Sequence, residues 1–259
     1  MKEAFTYMLK DNKYFEKALV YGGFVLFADL LANFSHVYKG SGLGILLLIL
    51  GYVATFIPSG YGISCIKALM VQKENFVLPC INVKNNFILG FKIFVAGALL
   101  GLAIGGIYIA ACIIFGLIGI FAIPKDVDVN TAVLIFMIPT ILIFLTVLIL
   151  YVIYGLSMSV IFAKKEFYTT FFKFGLANKL IAQNRGKYFS ALGLYVALFI
   201  VLIIVNAICS FSLVRLGNIG TIILSLIRAC VSSYTIFVFA YITANSVPHE
   251  LLDENVQND

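Results

Sequence analysis

An all-α, polytopic integral membrane bundle of about six transmembrane helices is what this 259-residue chain predicts, on three observations. Only 12% of its residues are charged against 62% hydrophobic, and its mean hydropathy is +1.06. A soluble domain carries roughly a quarter charged residues. Six apolar runs reach or approach the 20 or so residues that a helix needs to cross a bilayer. Fourteen of the eighteen Lys and Arg residues fall into three segments, Met1 to Lys17, Lys67 to Lys92 and Lys164 to Lys187, separated by pairs of those runs. Short cationic loops stay in the cytoplasm, so both termini are expected there. The connections carrying Lys39, Lys125 and Arg215 then face outward.

The expected spans are Ala18 to Phe34, Leu43 to Ile66, Phe87 to Ile123, Val133 to Ala163, Phe189 to Val214 and Ile219 to Ala244. The third and fourth exceed one straight crossing. A break near Gly116 and Gly119 would shorten the third, leaving a span to about Ala111 and a short surface element. The fourth is expected to tilt or project, with Pro139 kinking it if the helix includes that turn.

The basic segments mix cations with apolar residues at helical intervals. Phe5, Met8 and Leu9 share a face opposite Lys2, Glu3, Thr6 and Lys10; Tyr168, Phe172, Leu176 and Leu180 form a stripe away from Thr169, Lys173 and Lys179. Helices of this kind lie along the headgroup plane. Lys173, Lys179, Arg185 and Lys187 are therefore candidate contacts for anionic headgroups or a protein partner. Lys13-Tyr14-Phe15 before the first run echoes Lys187-Tyr188-Phe189 before the fifth, suggesting three parallel units over 1–70, 71–165 and 166–247 within one transmembrane domain, 1–247. An acidic tail follows over 248–259, read as a solvated cytoplasmic end.

Several function classes have little to stand on. The +6 charge lies beside apolar runs, which favours membrane orientation over nucleic-acid binding. The five cysteines show neither a disulfide framework nor metal-ligand spacing, and no cofactor motif is present. The two histidines, His36 and His249, lie outside the apolar runs, away from any serine they could activate within the bilayer. There is no Gly-Lys-Ser or Gly-Lys-Thr phosphate cradle. The first apolar run is expected to be an uncleaved anchor.

Four features qualify as candidate sites. Asp29 and Arg228 are charges inside apolar runs, each costing about 2.5–3.5 kcal/mol alone at a helix centre. At 1.5 Å per residue they lie about 7 and 13 Å from the outer ends of their spans, so they are expected to pair if those spans are neighbours. A lock, a polar pathway and separate snorkelling all remain open readings. Gly97, Gly101 and Gly105 form a small-residue ridge suited to close helix packing, within the chain or with a second copy. Pro58, Gly60 and Gly62 predict a kink in the second span. Asn206, Ser157 and Ser232 are candidates for lining a polar cavity or bonding across helices.

Glu3-Ala4-Phe5 through Asp11-Asn12-Lys13-Tyr14-Phe15, Gly60-Tyr61-Gly62-Ile63, Leu78-Pro79, Gly90-Phe91-Lys92 and Phe172-Lys173-Phe174-Gly175 through Asn184-Arg185-Gly186-Lys187-Tyr188 carry a family likeness. Together they resemble the prokaryotic multi-spanning family filed as domain of unknown function 4013. The chain departs from that pattern after Pro79, where Cys80-Ile81-Asn82-Val83-Lys84 replaces an aromatic and acidic stretch. The resemblance implies a prokaryotic plasma-membrane protein and carries no activity with it. The expected role is a non-catalytic component that binds membrane lipid or a partner; the alternative is a transporter or permease subunit for a small or amphipathic solute.

Overall fold

A computed structural model describes residues 6–71, 77–122, 129–213 and 217–247. The acidic tail over 248–259, Lys125, Arg215 and the first residues of the N-terminal stripe, Phe5 included, lie outside them. A 3-10 turn, Tyr7–Lys10, precedes α1 (Tyr14–Val37), α2 (Gly42–Ala54), α3 (Phe56–Val71), α4 (Val83–Ala122) and α5 (Val129–Lys165). A second 3-10 turn, Tyr168–Phe172, leads to α6 (Phe174–Gln183), α7 (Arg185–Leu213) and α8 (Gly217–Ser246). Among the described residues six stretches are long and apolar enough to cross a membrane: Tyr14–Val37, Gly42–Val71, Val83–Ile114, Ile141–Lys165, Arg185–Phe211 and Ile219–Ser246. This is a multi-pass helical membrane protein.

The second crossing is two helices that meet at Thr55. Pro58 has no N–H to give the Ala54 carbonyl and its ring crowds that group, so the helix breaks one turn earlier. Thr55 caps the end: its N–H bonds to the carbonyls of Gly51 and Tyr52 at 3.3 and 3.1 Å, and its hydroxyl donates to Tyr52 at 2.6 Å. The helix is thus interrupted three residues before Pro58, and Gly60 serves a different purpose. A Cβ there would lie 1.8 Å from the Asn86 carbonyl oxygen, and one on Gly90 would lie 1.9 Å from that of Phe56. These two glycines let the α3 and α4 backbones touch. Gly62 faces Ile236 of α8, whose Cδ1 would stand 2.8 Å from an added Cβ.

The expected break near Gly116 and Gly119 is absent: α4 is one helix of 40 residues. Glycine costs only about 1 kcal/mol in a helix interior and α4 contains no proline, so nothing in the run ends it. At 1.5 Å per residue α4 is about 60 Å long, roughly twice a hydrocarbon core. The 37-residue α5 likewise runs on through Pro139.

The helix α8 is the hub, packing on α1, α3, α5 and α7. The tightest core lies at one end of the bundle, where the 3-10 turns, the segment 77–82, α6 and the last turns of α8 gather; it is called the terminal end below, since both Thr6 and Val247 belong to it. Tyr61, Tyr188, Phe162, Phe237 and Met8 are all fully buried there. Towards the far end, α4, α5 and α7 expose Leu102, Ile107, Phe144 and Ile204 to the apolar surroundings that a bilayer supplies.

At the terminal end part of each amphipathic stripe packs on the protein itself, while Leu9 and Phe172 stay exposed. Tyr7 and Met8 insert into the protein: the Tyr7 hydroxyl donates to the Phe237 carbonyl at 2.6 Å, and its ring lies 4.6 Å from that of Tyr241. Burying Met8 from water contributes roughly 1.5–3 kcal/mol, enough to compete with partition into headgroups. The second stripe is interrupted at Lys173, between the 3-10 turn and α6, and Ala177, Leu180 and Ile181 of α6 join the protein core.

Candidate functional site

Contacts of α1 and α7 with α8 bring four polar residues to one place. Arg228 of α8 donates from Nε to Asn206 Oδ1 of α7 at 2.8 Å and reaches Ser210 Oγ at 3.5 Å from Nη2. Its Nη1 stands 3.5 Å from Oδ1 of Asp29 on α1. The expected pair is therefore assembled, but Asn206 holds the guanidinium more closely than Asp29 does. No hydrogen bond to the Asp29 carboxylate is present among the described residues, and its Oδ2 is buried without a partner.

The α1–α8 approach that permits this is close. A Cβ on Gly22 would lie 2.5 Å from Ser233 Oγ, and Asn33 Nδ2 donates to Ser225 Oγ at 3.0 Å one turn beyond Asp29, away from the terminal end. The network lines a groove of about 350 Å³ together with Ser232, Thr235 and the apolar Val25, Leu202, Ile227 and Val231. The Arg228 side chain remains 35% exposed, so the groove opens on the lipid-facing side of the helices rather than into a sealed core. Towards the terminal end the rings of Tyr195 and Phe239 meet across the α7–α8 seam, with centroids 4.6 Å apart and planes tilted by 42°. Phe239 lies one turn from Thr235, where the polar lining stops.

Ser157 does not belong to this cavity. It is fully buried on α5, and its hydroxyl is spent on the Tyr154 carbonyl at 2.9 Å. The glycine ridge also departs from expectation: no described atom lies within 4 Å of a Cβ placed on Gly97, Gly101 or Gly105. The helix α4 turns the adjacent stripe, Leu89, Ala96 and Leu100, into the bundle, and same-chain close packing is achieved at Gly60 and Gly90 instead.

Lys179, Arg185 and Lys187 are exposed at the terminal end, and Lys173 is half-buried at the start of α6. Phe167, Phe172, Phe174 and Phe189 are exposed along the same stretch. Cations and aromatic rings thus share the outer side of a segment whose inner side is fixed to the core.

Two polar arrangements at this end were not anticipated from sequence. Lys17 Nζ lies 2.8 Å from Asp11 Oδ2 and also bonds to the Leu78 carbonyl, while Asp11 accepts from the backbone N–H groups of Lys13 and Leu78, each at 2.8 Å. Burial alone would raise the Asp11 carboxyl; the Lys17 ammonium and the two backbone donors outweigh it and hold the group below its ordinary range. Burial pushes the Tyr7 hydroxyl up, which keeps it a proton donor to Phe237. The second arrangement is a cavity of about 340 Å³ beside the start of α4, where Lys67 and Glu166 pair at 2.5 Å and Ser64 donates to Asn86 at 3.1 Å. No sequence spacing announces either; the Asp11–Leu78 bond joins residues 67 positions apart.

No family model, curated protein or solved structure matches the chain.

Proposed function

We propose that this is a non-catalytic component of a prokaryotic plasma membrane, belonging to the family its motifs resemble, with the terminal end in the cytoplasm and holding anionic lipid headgroups. The observation that carries the reading is the stretch 167–189. Its inner side is fastened to the core through Ala177, Leu180 and Ile181, and its outer side offers Lys179, Arg185 and Lys187 beside exposed phenylalanines. A basic residue near an anionic surface contributes about 1 kcal/mol, so several on one rigid element select anionic over zwitterionic lipid. Rigidity matters because ordering losses are small when the element is already docked.

The test is lipid retention. Protein reconstituted in nanodiscs of mixed phosphatidylglycerol and phosphatidylethanolamine is extracted gently and its bound lipids are counted by native mass spectrometry. Wild type should be enriched in phosphatidylglycerol, and replacing Lys173, Lys179, Arg185 and Lys187 by Gln should abolish the enrichment with the fold intact. Equal retention of both lipids by wild type would remove this reading. A second reading, a permease subunit for an amphipathic solute, draws on the polar groove; it requires flux that Asp29→Asn with Arg228→Gln abolishes without loss of expression.

A further inference from the structure

We propose that the groove between α1, α7 and α8 binds an uncharged amphiphile with a hydroxyl headgroup, a long-chain alcohol or acylglycerol, whose hydroxyl bridges Asp29 and Arg228. This stands apart from headgroup binding at the terminal end and uses none of those residues.

Charge balance decides the class of ligand. Asp29 and Arg228 cancel, so an anionic or cationic guest would leave a net charge in a low-dielectric site, which is costly. Hydrogen bonding then decides the headgroup. An ionised carboxylate has about four acceptor positions, and that of Asp29 receives no hydrogen bond among the described residues. A guanidinium carries five N–H groups; in Arg228 one is well used at Asn206, a second reaches Ser210 at 3.5 Å, and Nη1 forms no hydrogen bond with Asp29. A hydroxyl is both donor and acceptor. Placed beside the 3.5 Å gap between Nη1 and Oδ1, it accepts from one and donates to the other, which neither a carboxylate nor a hydrocarbon can do.

The shape agrees. A volume of 350 Å³ admits roughly ten water-sized groups, enough for a small headgroup and the first carbons of a chain. Val25, Leu202 and Val231 offer apolar walls to those carbons, and Ile203, lining the same groove, is 53% exposed where a chain would pass into the bilayer.

Three diazirine probes sharing a sixteen-carbon chain test this, in phosphatidylcholine nanodiscs: the alcohol, the carboxylic acid and the plain alkane. The alcohol should label peptides of α1, α7 and α8 around Asp29, Asn206 and Arg228, saturably and in competition with unlabelled monooleoylglycerol. Loss of a hydrogen bond to a charged group should lower that labelling about tenfold in Arg228→Gln. Asp29→Asn leaves Arg228 uncompensated and should reverse the preference, so that the acid labels more than the alcohol. Asn206→Ala keeps both charges and should weaken alcohol labelling in a protein that remains monodisperse. If the alkane labels wild type as strongly as the alcohol, or the acid labels it more strongly, the proposal is overturned; this ranking needs no variant to fold.

Discussion

Asp11 and Lys17 form an ion pair at 2.8 Å with side chains only 4% and 9% exposed, placed where the N-terminal turn meets the segment 77–82. Because Lys17 also bonds to the Leu78 carbonyl and Asp11 to the Leu78 N–H, two chain segments far apart in sequence are held by one charge pair. Removing one partner strands the other in a buried position.

Lys17→Met should therefore destabilise the protein by about 3–5 kcal/mol, whereas Asp11→Leu combined with Lys17→Met should recover a large part of the loss. Thermal unfolding in detergent, followed by retention of the monodisperse peak, measures both. A harmless single replacement would show that the pair does not hold this end together.

The same pair sets a response to acid. A carboxyl held below its ordinary value of 3.8 releases its proton more readily in the folded state than in the unfolded one, so the stabilisation is complete above that value and fades as the pH falls through the lower folded value. Asp11→Asn should be less stable than wild type at pH 7, and the difference should shrink only below about pH 4. Stability curves of the two proteins over that range provide the check; a gap that closes already near pH 6 would contradict the assignment.

Gly60 and Gly90 should be intolerant of any side chain, since a Cβ at either would meet backbone oxygen at 1.8 or 1.9 Å. Gly60→Ala and Gly90→Ala should each cost several kcal/mol, while Gly101→Ala, with open space around it, should be neutral or slightly stabilising through helix propensity. Folded yield of the three variants side by side distinguishes the two kinds of glycine.

Arg228→Gln alone should harm folding more than Arg228→Gln with Asp29→Asn, because the single change leaves a lone carboxylate that costs about 2.5–3.5 kcal/mol in an apolar span. Expression and monodispersity of the single and double variants measure the difference. Equal damage would mean that Arg228 acts mainly through Asn206.

Much of this architecture can be read from the residues. Apolar runs and clustered cations define six crossings because backbone and charge are so expensive in lipid. Pro58 announces a break because its missing N–H has no remedy within the helix. Asp29 and Arg228 are conspicuous as isolated charges, and that isolation predicts their meeting. Position along the helix says less about which stripe faces inward: in α4 the ridge of Gly97, Gly101 and Gly105 and the buried stripe of Ala96 and Leu100 are one residue apart, and hydropathy does not separate them. Lys17 looked like one more member of a cytoplasmic cluster, since its partner Asp11 is six positions away and off any helical spacing. Its burial comes from Leu78, which only the folded chain brings near. The continuity of α4 was hidden by glycines that loosen a helix without ending it.

The side of the membrane that each end of the bundle occupies fixes the number of crossings and the depth of every intramembrane charge. In a background where Cys65, Cys80, Cys112, Cys209 and Cys230 are replaced, single cysteines at the exposed Lys39 and Lys179 can be labelled in whole cells with a membrane-impermeant maleimide. The cysteine at 39 should react in intact cells and that at 179 only after permeabilisation. Reaction of both from the same side would contradict the six-crossing arrangement, and with it the depth of Asp29 and Arg228.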